Sequence, residues 1–335
     1  MPWCWLSPLL RPRLDWIQVE VTSYCNAACV YCPHTVYQGH WASRHLPLTT
    51  FAKLLPALAR ARLVYLQGWG EPLLHPDFFN MVALAKQAGC RVGTTTNGML
   101  LDAETITRLV ESGLDLVAFS LAGADERHDA IRPGTSFKKV LQAIQALQRA
   151  KEKLGALRPA IHIAYMLLRS RAADLAKLPQ VLPGLGVEQV VISTLDFVPR
   201  KELAIETILP QTTGEYEELS ASLRETAELA GRYGLKVHYQ LKEPGAARLL
   251  CPENVQRALF VGADGRVSPC VFANLPVTRA TYCARDGERP YQRLILGNLE
   301  ELPLAAIWRQ PAYINFCGSF FTGRLISLCR NCLKM

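Results

Sequence analysis

The sequence contains no long apolar run, no low-complexity tract and no block of like charges. No segment approaches the roughly 18 uncharged residues that a membrane-spanning helix needs, so a membrane protein is not expected. The first 15 residues have no basic leader, and prolines interrupt their only apolar run, which argues against a secretory signal peptide. The composition, 50% hydrophobic and 20% charged, argues against disorder. We therefore expect a folded protein of the cytoplasm.

Basic residues exceed acidic ones, with 37 Lys and Arg against 29 Asp and Glu, which gives a net charge of +8. Such a charge favours acidic partners, for example a small redox protein, an acidic peptide or a nucleic acid. The basic residues are dispersed along the chain, however, as at Arg169 and Arg171. A solvated surface explains them better than a nucleic-acid groove does, and no nucleic-acid partner is expected.

Residues 15–195 alternate between predicted strands and predicted helices. β-Branched or aromatic runs predict six strands, at 16–21, 63–67, 91–96, 116–121, 160–167 and 189–194. Helical patterns at 77–88, 102–112 and 136–154 end before a glycine, and a further helix and strand are predicted at 214–230 and 236–241. Repeated βα units predict parallel strands in a full or partial barrel or a doubly wound sheet. In each case, ligands bind beyond the carboxyl ends of the strands.

Cysteine is abundant, with 11 residues in 335, and in a reducing cytoplasm grouped cysteines usually bind metal or carry out chemistry. Three of them, Cys25, Cys29 and Cys32, lie within eight positions directly after the first predicted strand. Three thiolates on one loop suit a zinc ion completed by a group such as His34, or a four-iron cluster with one iron not bound by protein. Structural zinc prefers paired C-x-x-C motifs. The stretch C-N-A-A-C-V-Y-C resembles the signature of the radical S-adenosylmethionine (SAM) enzymes.

This resemblance implies an α/β fold, a partial (β/α)6 TIM-like barrel, and a 4Fe-4S cluster whose free iron is chelated by the amino and carboxylate groups of SAM. One-electron reduction then cleaves a carbon–sulfur bond of SAM. The products are methionine and a 5′-deoxyadenosyl radical, which abstracts hydrogen from a substrate. The reduction needs a low-potential electron donor, a flavodoxin or a ferredoxin.

Loops after the predicted strands carry residues that resemble the family's SAM contacts. The candidates are Tyr31, Gly68, Gly70, Glu71, Asn97, Ser120 and Arg132. In Q-G-W-G-E the glycines would let backbone carbonyls approach the SAM amino group and the glutamate would accept from it; Trp69 departs from the family's consecutive glycines. The resemblance puts Tyr31 beside the adenine and Ser120 near the SAM carboxylate or ribose. Arg132 is a candidate carboxylate partner and Asn97 a candidate polar contact. Turn formation, helix capping and loop packing are the structural alternatives.

The fifth predicted strand carries His162 and Tyr165, which alternate with Ile161 and Ile163. Both polar side chains could point into the barrel toward the substrate, but a lone histidine on a strand is more often a satisfied core residue. No catalytic acid or base is assigned.

A second cysteine group consists of Cys251, Cys270, Cys329 and Cys332, and Gly265 precedes Cys270 by five residues. The pattern resembles the SPASM/twitch auxiliary domain, as do the G-N-L and I-W segments within 296–308. The resemblance implies one auxiliary 4Fe-4S cluster bound by the four thiolates. A tetrathiolate zinc site would use the same residues.

The remaining cysteines and the domain limits complete these expectations. Cys283 and Cys317 are expected to be packed free thiols, and Cys4 and Cys90 to be structural. We expect an N-terminal extension over residues 1–14, a radical SAM partial barrel over 15–245 and a small cysteine-rich auxiliary domain over 246–335.

The resemblance does not define the substrate. Our first hypothesis is an oxidoreductase that uses the radical to oxidise, crosslink or otherwise modify a peptide or a small molecule. Few residues precede the first strand, so a peptide would need direct docking or a separate recognition protein. The alternative enzyme is a maturase for a tetrapyrrole or pterin cofactor. From a different class, a non-enzymatic iron–sulfur or zinc protein would transfer electrons or act as a scaffold.

Overall fold

The computed structural model describes residues 14–245 and 251–335. The predicted N-terminal extension, apart from Leu14, lies outside the described residues, as does Cys4. The predicted boundary before the auxiliary domain falls beside residues 246–250, which also lie outside them. The domain limits therefore stay predictions.

Each of the six strands expected before residue 195 is present, with ends that differ from expectation by two residues at most. Within the described residues the strands are β1 (Leu14–Val19), β2 (Ala61–Leu66), β3 (Arg91–Thr96), β4 (Leu116–Leu121), β5 (Ala160–Leu167), β6 (Val187–Thr194), β7 (Lys236–His238), β8 (Ala258–Val261), β9 (Arg266–Ser268), β10 (Thr281–Ala284), β11 (Gly287–Pro290) and β12 (Gly297–Asn298).

The predicted long helices are also present. Over the same ranges the α-helices are α1 (Pro33–Val36), α2 (Leu48–Ala52), α3 (Leu55–Leu58), α4 (Phe78–Gln87), α5 (Ala103–Glu111), α6 (Arg127–Ile131), α7 (Phe137–Lys153), α8 (Leu178–Val181), α9 (Thr213–Arg232), α10 (Leu304–Ile307), α11 (Pro311–Phe321) and α12 (Ser327–Arg330). The carboxylate of Asp102 caps α5, because it accepts a hydrogen bond from the Thr105 N–H at 2.8 Å. Gly113 and Gly155 follow α5 and α7 with φ of 75° and 61°, a region that favours glycine.

One compact unit comprises the described residues 14–25, 37–93 and 251–335. Its central strand is β1, which pairs in parallel with β2 on one side and with β8 on the other. Strand β9 runs antiparallel to β8, and β12 runs antiparallel to β9. Val19 is in register with both Leu66 and Val261. The segments that follow β1, β2 and β8 therefore leave this sheet at the same edge.

A second compact unit comprises the described residues 26–36 and 94–245. Its strands β4, β5, β6 and β7 pair in parallel in chain order, as repeated βα units predict. The amphipathic helix α7 buries Val140, Ile144 and Leu147, which are spaced as on one helical face. This unit carries three of the candidate SAM contacts: Asn97 directly after β3, Ser120 within β4 and Arg132 at the end of α6.

Across the two described stretches, no helix is both long enough and apolar enough to span a bilayer.

Candidate functional site

The first cysteine group lies on the loop that follows β1. Cys29 is buried, and Cys25 and Cys32 are half-buried. The Cys32 N–H donates to the Cys29 carbonyl at 3.0 Å, so these two residues form one turn that leads into α1. Cys25 belongs to the first compact unit, and Cys29 and Cys32 belong to the second. The loop is tied down within the second unit, since the Ala28 N–H donates to the Pro133 carbonyl at 2.7 Å.

Two candidate SAM contacts, Tyr31 and Arg132, bind each other. The Arg132 Nη1 donates to the Tyr31 hydroxyl at 2.6 Å, and both side chains are buried. Burial raises the pKa of Tyr31, although the Arg132 charge opposes this. Burial alone would lower the pKa of Arg132, but the charges of Tyr31, Cys29 and Cys32 outweigh it and raise that pKa. The guanidinium is therefore a permanent positive charge beside two thiols of the loop. Within the described residues its Nε has no hydrogen-bond partner.

The loop after β2 carries Gly68, Trp69, Gly70 and Glu71. A Cβ on Gly70 would lie 2.3 Å from the Thr22 carbonyl oxygen, so only glycine allows this close backbone approach. The Glu71 N–H donates to the Tyr24 carbonyl at 2.8 Å. The buried Glu71 carboxylate accepts from the Leu73 N–H at 3.3 Å and caps a short 3-10 helix, Pro72–Leu74. The close approach at Gly70 is to the backbone just before Cys25, and Glu71 is buried; contact of this loop with SAM stays a prediction.

Two further candidates lie in the second unit. Asn97 directly follows β3, and Ser120 is the second-last residue of β4. The Asn97 Nδ2 donates to the Asn26 Oδ1 at 2.7 Å, and Asn26 directly follows Cys25 in the chain. Asn97 therefore contacts the cysteine loop. Ser120 is half-buried, opposite Ala164 on β5, and shares a sheet face with His162.

His162 and Tyr165 do not point the same way, so they cannot both face the substrate. Successive side chains of a strand point to opposite faces, so two residues three positions apart cannot share one. Tyr165 lies on the fully buried face of β5 with Ile161 and Ile163, at 1% exposure. His162 lies on the half-exposed face with Ala164. Burial raises the pKa of Tyr165, and nearby acidic charge adds to the effect. Tyr165 is a core residue.

The second cysteine group lies in the first unit, and its four thiols are near neighbours. Burial raises the pKa of Cys251 to about 11 and that of Cys329 to about 12, and the charge of Cys332 adds to both effects. Burial also raises the pKa of Cys270 well above its ordinary value, and the charges of Glu253 and the other three cysteines add to this. A bound cation would offset this mutual repulsion, because thiolates are the metal-binding form. Thiolates at these four positions are the ligand type that a cluster or a zinc ion would use.

No disulfide bond joins any two of the described cysteines. Over residues 14–245 and 251–335, no three His, Cys, Asp or Glu side chains stand at the mutual distances of a formed metal site. Cys90 is 2% exposed and its thiol donates to the Ala61 carbonyl at 3.7 Å, which fits the expected structural role. Cys317 is buried on α11, and Cys283 is half-buried on β10.

Glu20 is a site residue that sequence reasoning missed. It is 1% exposed, directly after β1. Its Oε1 accepts from the Trp69 N–H at 2.9 Å and its Oε2 from the Ala263 N–H at 3.1 Å. Burial raises the pKa of Glu20 to about 7, the two backbone donors oppose the rise, and Asp264 adds to it. An acid inside an otherwise apolar strand pattern, immediately before the cysteine motif, was the available signal.

Two family models match this chain. The model of the radical SAM superfamily matches residues 19–157, and the model of the SPASM iron-sulfur cluster-binding domain matches residues 251–333. Together with the parallel α/β architecture, these matches identify the class. The chain carries a radical SAM domain and a C-terminal SPASM domain. The predicted fold class, a partial TIM-like barrel, and the predicted cofactor classes, iron–sulfur clusters and SAM, are confirmed at this level.

Individual relatives differ in how much of the chain they match. The tungsten-containing aldehyde ferredoxin oxidoreductase cofactor-modifying protein of Pyrococcus furiosus is 27% identical over 309 residues, 90% of this chain and 83% of that protein. The mycofactocin maturase MftC of Mycobacterium tuberculosis is 35% identical over 133 residues, only 39% of this chain and 34% of that protein. The crystal structure of Streptococcus suis SuiB bound to S-adenosylmethionine has the same fold, with a TM-score of 0.65, 14% identity and coverage of 90% of this chain and 67% of SuiB.

Proposed function

We propose that this radical SAM protein is an enzyme that binds a 4Fe-4S cluster through Cys25, Cys29 and Cys32 and an auxiliary 4Fe-4S cluster through Cys251, Cys270, Cys329 and Cys332. When bound, the first cluster and SAM supply a 5′-deoxyadenosyl radical. The auxiliary site would accept the electron released by the substrate or hold the substrate. A flavodoxin or ferredoxin would deliver the low-potential electron. The single observation that carries the proposal is the match of both domain models around the two cysteine groups.

The chain's own residues have distinct tasks in this proposal. The close approach that Gly70 allows brings the loop backbone against the segment that leads into Cys25, and Glu71 offers a buried acceptor for the ammonium of SAM. Arg132 supplies a fixed positive charge beside Cys29 and Cys32. Ser120 and Asn97 are the proposed polar contacts to SAM, and Tyr31, bound by Arg132, is the proposed adenine neighbour.

We propose cofactor maturation as the substrate class. This proposal is supported by the length of one match. The cofactor-modifying protein of Pyrococcus furiosus aligns with 90% of this chain, across both domains. Peptide modification is the second candidate. It is favoured by the higher identity to the mycofactocin maturase, 35%, although that match spans only 39% of this chain. A peptide substrate would call for direct docking or a separate recognition protein.

The class of reaction is tested by anaerobic reconstitution with iron and sulfide, followed by dithionite and SAM. We expect release of 5′-deoxyadenosine and methionine. A Cys25→Ala/Cys29→Ala/Cys32→Ala variant should lose this release and keep the absorption of the auxiliary cluster. The matched control, Cys90→Ala, removes a buried thiol outside both groups and should keep the release. A reconstituted wild type that binds iron yet never cleaves SAM would refute the enzyme and favour a passive electron carrier or scaffold.

The substrate class is tested by adding candidate substrates to the same assay. The probes are a tetrapyrrole, a pterin and a synthetic peptide, each tested alone with dithionite and SAM. A substrate should raise the rate of 5′-deoxyadenosine formation and gain or lose hydrogen, as mass spectrometry would record. Turnover with the peptide and none with the two cofactor types would overturn the maturation proposal in favour of peptide modification.

A further inference from the structure

One buried side chain, that of Glu20, binds the backbone of the glycine-rich loop 68–71. Glu20 binds the Trp69 N–H through one oxygen and the Ala263 N–H through the other. The loop lies directly on this side chain, because a Cβ on Gly68 would be 2.3 Å from the Glu20 Cγ. Ala263 lies in the turn between β8 and β9, which belongs to the SPASM domain. A single side chain therefore joins the loop to the auxiliary domain.

Trp69 makes a second connection between the same two parts of the first unit. Its ring contacts Phe272 edge-on, with centroids 6.0 Å apart, and Trp41 edge-on at 6.3 Å. Phe272 lies two residues after Cys270, in the 3-10 helix Val271–Ala273 that Cys270 begins. The Phe272 ring also lies under the Lys334 ammonium, which is 5.3 Å from the ring centre. Aromatic pairs of this kind fix the orientation of the rings they join.

Trp69 is the residue at which the loop departs from the family's run of glycines, and its contacts give the departure a physical reason. A glycine at this position would leave Phe272 without its edge-on partner. We propose that Glu20 and Trp69 are positioning residues that make the geometry of the glycine-rich loop, and so the affinity for SAM, depend on the auxiliary domain around Ala263 and Cys270. This inference rests on the proposed function, because it requires that the loop contacts SAM.

The direct test of the Glu20 connection is Glu20→Gln in the reconstituted protein. Glutamine offers one acceptor oxygen in place of two, so one of the two backbone donors loses its partner. Hydrogen exchange should then become faster at the Trp69 or the Ala263 amide. SAM binding, measured by calorimetry, should weaken about tenfold, which corresponds to about 1.4 kcal/mol.

The matched control is Glu300→Gln. Glu300 also links the SPASM domain to an earlier segment, since it accepts from Lys53 Nζ at 3.1 Å and from Thr50, but it does not touch the loop. We expect unchanged SAM affinity and unchanged exchange at Trp69 in this variant. Equal SAM affinity in wild type, Glu20→Gln and Glu300→Gln would overturn the inference.

The second test separates the aromatic connection from the carboxylate, and it also applies if Glu20→Gln fails to fold. Phe272→Leu leaves both bonds of Glu20 in place and should weaken SAM binding severalfold, whereas Trp308→Phe, an aromatic truncation elsewhere in the SPASM domain, should not. A double-mutant cycle then measures the coupling: Cys329→Ser should weaken SAM binding less in a Trp69→Leu background than in wild type. Additive losses would refute the coupling.

The same measurements distinguish this inference from the proposed function. If wild-type protein with a reconstituted cluster does not bind SAM, the proposed function fails. If the wild type binds SAM and the Glu20, Trp69 and Phe272 variants bind it equally well, the proposed function stands and the positioning role fails.

Discussion

The buried carboxyl of Glu20 predicts that the stability of this protein falls as the pH rises from about 4.5 to about 7. The pKa of Glu20 is raised from 4.5 to about 7, and burial is the largest cause. Between these two pH values the folded protein retains this proton and the unfolded chain has lost it. The protonated carboxyl therefore makes its full contribution to the free energy of unfolding below pH 4.5, and this contribution is lost as the pH rises through about 7. The rise of the pKa corresponds to about 3 kcal/mol in total.

The part of this change that can be measured under mild conditions lies between pH 6 and pH 8. Over that interval the native carboxyl releases its proton, and the expected loss in the free energy of unfolding is about 1 kcal/mol. Asp264 and Arg293 are the charged groups whose fields act on Glu20, the first raising its pKa and the second lowering it. Arg293 binds Asp264 at 2.8 Å, so the two charges largely offset each other.

The assay compares wild type with Glu20→Gln, because other titrating groups contribute equally to both. Urea unfolding at pH 6, 7 and 8 gives the free energy of unfolding of each protein. From pH 6 to pH 8 the wild type should lose about 1 kcal/mol of stability relative to Glu20→Gln. Infrared difference spectra of the same pair should contain a protonated-carboxyl band that disappears with a midpoint near pH 7. A stability difference that is constant with pH, together with no such band at pH 6, would refute the reasoning.

Three further predictions concern charge, close approach and capping. Arg132→Gln removes a buried positive charge beside the cysteine loop, so the cluster midpoint potential should fall by roughly 60 mV in a redox titration followed by electron paramagnetic resonance, and Arg127→Gln should not change it. Gly70→Ala should destabilise the fold by at least about 2 kcal/mol in urea unfolding, because its methyl group would overlap the Tyr24 carbonyl. Thr212→Ala removes the side-chain cap of α9 and should cost about 1 kcal/mol in thermal unfolding, with unchanged SAM binding.

The barrel strands and their long helices could be read from the sequence because their signals are local. Strand β4, for example, is a compact apolar run, and α5 begins at a capping aspartate, Asp102, and ends before Gly113. The pairing of β8 with β1 could not be read in this way. These strands are more than 200 residues apart in the chain, and their register, Val19 against Val261, depends on tertiary packing that no periodicity encodes.

In the candidate site, too, features with a local sequence signal could be predicted and features that depend on tertiary packing could not. The cysteine spacing and its resemblance to the radical SAM signature predicted the cysteine loop. The resemblance of Q-G-W-G-E to the family's glycine-rich motif predicted the loop after β2, and parallel strands bring such following segments to one edge. Side-chain direction was harder. Tyr165 was a candidate to face the substrate together with His162, but an odd separation of three residues puts the two side chains on opposite faces. Glu20 was missed because its role depends on the Ala263 amide, which is distant in sequence and adjacent only after folding.

The geometry of the first unit explains why a change in the auxiliary segment can reach the SAM loop. Strands β1, β2 and β8 end in register, so the cysteine loop, the glycine-rich loop and the turn at Ala263 emerge side by side. Short segments at such an edge have few local hydrogen bonds of their own, and their positions depend on one another. From the end of β1, the buried Glu20 side chain reaches both flanking segments and accepts one hydrogen bond from each. An apolar residue there would leave two buried backbone donors unsatisfied, which explains why the strand pattern is broken at this residue.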